Sequence, residues 1–210
     1  KRKEYFKVNY LYSKKLYKTA INSNVKKIIF ASTAAVYGDY KSLFKETDKT
    51  KPINVYGSSK LKFEKYLKYN RKINHAILRF FNVTGNHYIN NSNFHKNDSV
   101  ILKLYKTYKK HKSSFYISSN KQKQSTRRDF IHILDLIKII ERIIYDNKKF
   151  LVLNCGYGKS LSILEIVNQF EKKFKSKFKK NYKIKKLSDP FEVIADTTKL
   201  NKLFNISLKY

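Results

Sequence analysis

The chain has 210 residues, 41% of them hydrophobic, which is enough to bury the core of one domain, or of one large domain carrying a small appendage. Its formal net charge is +32, but lysine outnumbers arginine by about forty-one to six and is spread along the whole length. A phosphate-binding surface gathers its cations on one face, so a specific nucleic-acid partner is not expected.

The most apolar stretch, Ile131 to Ile144, is interrupted by Asp135, Lys138, Glu141 and Arg142, and reads as an amphipathic helix rather than a membrane span. The single Cys155 cannot form an intramolecular disulfide, and a reducing, cytoplasmic setting is expected. No signal peptide is read in the chain. It contains no Met, so a fragment or a processed product is expected.

In chain order, Leu11, Leu16, Ala20 and Ile21 fall at helical spacing within residues 10–23, and Val25 to Ala31 form an apolar run suited to a buried strand. The same alternation continues with a helix near 57–70, a strand from His75 to Phe80, a helix near 98–111 and a strand from Phe115 to Ile117. It ends with a helix near 133–146, a strand from Leu151 to Asn154, a helix near 162–175, a strand from Tyr182 to Lys186 and a helix near 197–204. Helices alternating with short apolar runs predict an α/β domain with a mostly parallel sheet. The stretches from Asn86 to Asn97 and from Ser118 to Gln124 have no periodicity and read as loops.

Chemistry concentrates around Tyr56 and Lys60. Four residues apart on a helix, they share a face, and the ammonium can lower the phenol's pKa and make it a usable base. Spacing alone is uninformative, because a Tyr followed by Lys at this interval occurs seven times in the chain. Context singles out this pair: a strand ending in Ser32 and Thr33 lies some twenty residues upstream, Pro52 sits just before, and Glu64 follows on the helix.

Five segments then recur in order: Ser32-Thr33-Ala34-Ala35-Val36-Tyr37-Gly38, Pro52 to Lys60, Arg79-Phe80-Phe81-Asn82-Val83-Thr84-Gly85, Arg128 to Asp135 and Asn154 to Ser162. Together they resemble the extended short-chain dehydrogenase/reductase family, and within it the UDP-glucose/UDP-galactose 4-epimerase-like, NAD-dependent members. The resemblance implies a doubly wound, parallel-sheet (Rossmann-like) domain lacking its first strands, with a small discontinuous substrate domain. On that reading residues 1–85 and 126–154 are the dinucleotide-binding part, 86–125 and 155–195 are substrate-binding elements, and 196–210 are a terminal helix and tail.

The resemblance also implies roles. Tyr56 would take the proton from the C4 hydroxyl of a UDP-sugar while hydride passes to NAD, Lys60 would hold the nicotinamide ribose, and Thr33 would relay the proton. The 4-keto sugar would turn over in the pocket and receive the hydride on its other face. Asn9, Ser32 and Phe81, with Tyr56 and Lys60, fall at cofactor-contacting positions. Thr33, Asn82, Arg128, Lys186 and Asp189 fall at substrate-contacting ones, Lys186 standing where the family usually has arginine. Dehydratases of this fold carry an Asp-Glu pair after the threonine, because eliminating water needs a further acid and base. Here Ala34 and Ala35 occupy those positions, which favours epimerisation.

The family is commonly homodimeric through a helix pair, for which 10–23 and 57–70 are the candidates. No metal is expected, because His75, His87, His95 and His111 have no ligand spacing with Cys155 or with one another. None of the five glycines forms the glycine-rich turn that cradles a dinucleotide pyrophosphate. The 210 residues alone are therefore expected not to turn over. They would belong to a longer 4-epimerase, to another nucleotide-sugar epimerase, or to an inactive remnant.

Overall fold

The computed structural model describes residues 2–85 and 99–209. Helix α1 (Arg2–Phe6) runs through a π-helical stretch (Lys7–Tyr12) into α2 (Ser13–Asn22), and strand β1 (Lys27–Thr33) follows, ending in a single 3-10 turn at Ala34–Val36. Next come β2 (Leu43–Phe44), α3 (Val55–Tyr69), β3 (Asn74–Phe80), β4 (Asn82–Thr84), α4 (Val100–Lys109), β5 (Ser114–Ser119) and β6 (Arg127–His132). The chain closes with α5 (Ile133–Tyr145), β7 (Phe150–Cys155), β8 (Ser160–Ser162), α6 (Ile163–Phe174), β9 (Lys179–Ile184), β10 (Glu192–Ala195) and α7 (Thr198–Phe204).

The central sheet is parallel, in the order β1-β3-β7, with Lys27 opposite Asn74 and His75 opposite Phe150. His75 to Arg79 in β3 are all buried, the signature of a strand covered on both faces. On one face Leu136, Ile139 and Ile143 of α5 and Leu200 of α7 pack on Ala76, Leu78, Leu151 and Leu153. On the other, Tyr17 and Ala20 of α2 and Phe63 and Leu67 of α3 pack on Phe30 and Ile77. Helices on both faces of a parallel sheet make this a Rossmann-like α/β fold, in agreement with the sequence reading.

Two further sheets extend from the ends of these strands. One has the order β2-β10-β6-β4, with β8 pairing antiparallel to β6. It is joined to the central sheet where the Phe81 amide donates to the Cys155 carbonyl at 3.0 Å. The other is the parallel pair β5-β9, whose apolar side closes with α4 and α6 around Leu104, Ile117 and Val167. Cys155 ends β7 and is fully buried.

Several boundaries differ from those read in the sequence. The first helical region starts at Arg2 rather than near residue 10, and the first strand starts at Lys27 rather than Val25 and ends, as expected, in Ser32 and Thr33. Ser118 and Ser119, expected in a loop, continue β5; Ser119 is buried although it is polar. The strand expected at Tyr182 to Lys186 is Lys179–Ile184, set by its pairing from Ser114 to Ser119. The loop expected from Asn86 to Asn97 lies outside the described residues.

Candidate active site

The site forms where α3 meets the C-terminal end of β1. Asn54 caps the helix, its Oδ1 accepting the Gly57 amide at 2.8 Å. Gly57 permits the close approach that follows: a Cβ there would lie 2.3 Å from the Ala35 carbonyl oxygen, so any side chain would force the helix off the turn after β1.

That contact brings the Tyr56 side chain close enough to Thr33 for the threonine hydroxyl to act on the phenol. Burial pushes the Tyr56 phenol above its ordinary value, the Thr33 hydroxyl pulls it down, and nearby Tyr5 adds to the rise. The net direction is opposite to the lowering expected from Lys60. The reason is geometric: the Lys60 ammonium is turned to the Ala31 carbonyl, 3.0 Å away, and lies 5.0 Å from the Phe30 ring centre and 6.0 Å from that of Tyr56. Burial in turn holds Lys60 below its ordinary value.

Tyr56, Lys60 and Glu64 are spaced i, i+4, i+8 and so follow one face of α3. They face three successive residues of β1: Tyr56 stands beside Thr33, Lys60 donates to the Ala31 carbonyl, and Glu64 accepts from the Ser32 hydroxyl. Glu64 is held by Arg79 of β3 through two nitrogens, at 3.2 and 2.8 Å, in a pair whose side chains are 5% and 7% exposed. Arg79 also donates to the Tyr37 hydroxyl at 2.9 Å, which itself donates to Asn154 Oδ1 at 2.6 Å. Asn154 is tied to Glu46 and to the Phe44 carbonyl.

Burial pushes the Tyr37 phenol up to about 12, so it stays a neutral donor. For Arg79 burial works against the charge, but Glu64 more than offsets it and the guanidinium remains a cation. This buried chain was not read in the sequence as part of the site. Its one sequence signal is a charged residue, Arg79, inside an otherwise apolar strand, which demands a partner.

Of the five expected substrate positions, three share a cleft, and Thr33 and Lys186 do not line it. Asn82, Arg128 and Asp189 line one cleft of about 330 Å³, with Phe115, Tyr116 and Ser99 on its walls. Arg128 Nη1 holds the carbonyls of Arg127 and Phe191 at 2.7 and 3.0 Å. Burial lowers the Arg128 pKa, while the nearby carboxylates of Asp189 and Asp39 raise it. Lys186 does not line this cleft; its side chain is exposed, and its carbonyl accepts the Asp189 amide at 3.0 Å in a tight turn.

Among the expected cofactor positions, Asn9 donates to Ser59 Oγ at 2.9 Å, Ser32 is buried on Glu64, and Phe81 packs in the core beside Val36 and Tyr37. Tyr56, 38% exposed, and half-buried Lys60 lie on α3 against edge strand β1, at the carboxyl end of the sheet where α/β folds take ligands.

Two neighbouring residues of the Arg128 to Asp135 segment are architectural. Asp129 is fully buried and accepts the amides of Tyr157, Gly158 and Ala195 at 2.7, 2.9 and 3.0 Å, tying the turn after β7 to β10. His132 caps α5 through Nδ1 and lies against Gly85. Among the described residues no cluster of metal-ligating side chains is present, and no helix is long and apolar enough to cross a membrane.

Residues 1–156 match the family model described as NAD dependent epimerase/dehydratase family. An ADP-L-glycero-D-manno-heptose-6-epimerase of Brachyspira hyodysenteriae is 30% identical over 178 residues, covering 81% of this chain and 53% of the relative. A UDP-glucose 4-epimerase of Halalkalibacterium halodurans is 27% identical over 222 residues, covering 99% of this chain and 66% of the relative. The chain thus spans about half to two thirds of the length of these relatives. Among solved structures, the ADP-L-glycero-D-manno-heptose-6-epimerase of Helicobacter pylori superposes with a TM-score of 0.84 at 26% identity, covering 100% of this chain and 63% of that one. A UDP-glucose-4-epimerase from Stenotrophomonas maltophila with bound NAD and formylated UDP-arabinopyranose gives 0.86 at 21% identity, covering 100% and 66%, and supports the fold.

Proposed function

Because the chain belongs to the NAD dependent epimerase/dehydratase family, we propose that it carries the proton-transfer and substrate-binding half of a nucleotide-sugar 4-epimerase interconverting UDP-glucose and UDP-galactose. The observation that carries the reading is that Tyr56 stands beside Thr33 at the end of β1, at the same sheet end as the cleft lined by Asn82, Arg128 and Asp189.

As the phenolate, Tyr56 takes a proton by way of Thr33, whose hydroxyl accepts the proton of the C4 hydroxyl as it gives its own to Tyr56. Lys60, which holds the Ala31 carbonyl, would hold the nicotinamide ribose of bound NAD, and its positive charge would then favour the phenolate form of Tyr56. NAD, when bound, supplies a reversible hydride acceptor, so that epimerisation involves no net redox. Arg128 has five N–H donors, more than its two carbonyl partners use, and those that remain suit a diphosphate. Ala34 and Ala35 offer no acid or base for elimination, which supports epimerisation over dehydration.

The test supplies the protein, expressed from its complete reading frame, with NAD and UDP-galactose. UDP-glucose should appear, and Tyr56→Phe should lower its rate by about a hundredfold or more. A Tyr56→Phe enzyme of undiminished rate overturns the assignment of the base. A second reading is favoured by the 30% identity to the heptose epimerase: conversion of ADP-heptose and inertness toward UDP-galactose would establish it instead. The homodimer belongs to the same proposal and is supported by the exposed Val8, Leu11, Tyr12 and Leu16 along the first helical region. Light scattering of the wild type and of Leu11→Glu/Leu16→Glu distinguishes dimer from monomer.

A further inference from the structure

Asn54 touches two things at once. Its Oδ1 accepts the Gly57 amide at 2.8 Å and so caps α3 two residues before Tyr56. Its Nδ2 donates to the Ser188 carbonyl at 3.2 Å, one residue before Asp189 on the wall of the cleft. A side-chain amide can accept and donate simultaneously; a carboxylate can only accept.

The segment from Lys185 to Phe191 has no helix or strand of its own, and its remaining anchors lie at its ends. Asp39 accepts the Phe191 amide at 2.9 Å and pairs with the Lys185 ammonium at 3.2 Å. Arg128 takes the Phe191 carbonyl at 3.0 Å. Between those ends, Lys185 reaches across to the Asp189 carbonyl at 2.7 Å, and Asn54 holds the middle from outside the segment. Leu187, 96% exposed, gives the turn no apolar anchor.

We propose that Asn54 is a positioning residue that fastens the loop bearing Asp189 to the start of the helix bearing Tyr56, so that the cleft wall and the proton-transfer helix are set as one unit. The inference rests on the reading of the cleft as a nucleotide site only for its ligand; the fastening itself is independent of it.

Asn54→Asp separates the two contacts. The carboxylate still accepts the Gly57 amide and suits a helix N-terminus, so the unfolding temperature should be unchanged. Against the Ser188 carbonyl it is repulsive. Backbone amide exchange at Asp189 and Phe191 should therefore quicken about fivefold or more, while the Gly57 amide keeps its protection, and UDP titrated into the protein should bind about fivefold more weakly. Asn54→Ala should lose both the cap and the loop contact, lowering the unfolding temperature as well.

Unchanged exchange at Asp189 and Phe191 in Asn54→Asp overturns the proposal. Faster exchange with undiminished UDP affinity overturns the coupling of loop to ligand. If the wild type fails to bind UDP, the nucleotide reading of the cleft falls, and exchange alone still decides whether Asn54 fastens the loop.

Discussion

In the sequence Tyr56 and Lys60 stand out by their flanking context and Thr33 by the family resemblance, and the features that place them are local: a cap, a close-approach glycine and a polar strand end. Glu64 is on the same helix face, yet its role depends on Arg79, fifteen residues on, and on Tyr37 and Asn154, which no periodicity links. Long-range pairing of this kind is invisible to pattern reading. Removing one partner strands the other charge in the core, so Arg79→Leu should cost about 3–5 kcal/mol in urea unfolding. Glu64→Leu/Arg79→Leu should cost less than the two single changes added together, because the second truncation removes a charge already left unpaired. His75, 3% exposed, supplies a pH dependence of its own. Burial chiefly depresses its pKa, with Arg71 adding to the effect and the Ile73 carbonyl opposing it. The unfolded chain therefore binds a proton first as pH falls below about 6.5, and stability is lost from there down through the lower folded value. Urea midpoints measured from neutral to mildly acid pH should fall, and His75→Gln should fall less.

At the scale of elements, long amphipathic helices and the apolar strand β3 could be read directly, whereas β2, β4, β8 and β10 have only two to four residues each and carry no period. β6 was hidden differently. Its sequence RRDFIH buries an acid, Asp129, beside Ile131, so the alternation is real but its inward side is partly charged. What makes that burial tolerable is three backbone amides, and those come from residues 28 to 66 positions away. The start of α6 could be read as a local device. Ser162 Oγ accepts the Glu165 amide at 3.0 Å and Glu165 accepts the Ser162 amide at 2.6 Å, a reciprocal capping box. Ser162→Ala should cost about 1 kcal/mol in chemical denaturation; an unchanged midpoint would show that Arg127, which also pairs with Glu165 at 3.1 Å, holds the helix start by itself.

Across the whole molecule the net charge of +32 acts against compactness. Several acids are turned inward, Glu64, Asp129 and Asp135 among them, so the surface is left more cationic than the composition suggests. Salt screens this repulsion over a Debye length of about 10 Å at 0.1 M. It also weakens surface pairs such as Lys148–Asp146 at 3.0 Å, but each of those is worth about 1 kcal/mol or less. The repulsion, summed over many lysines, should win. Raising sodium chloride from about 0.02 to 0.2 M should move the urea midpoint upward; a downward shift would mean that ion pairs dominate. Cys155 provides a way to watch such changes. Burial both shields its thiol and raises the pKa, so reactive thiolate is withheld in the folded chain. Because it closes β7 at the junction with the second sheet, modification by a disulfide reagent should proceed only as fast as that junction opens. One sulfur thus serves as a molecular stopwatch for the opening of the fold's centre.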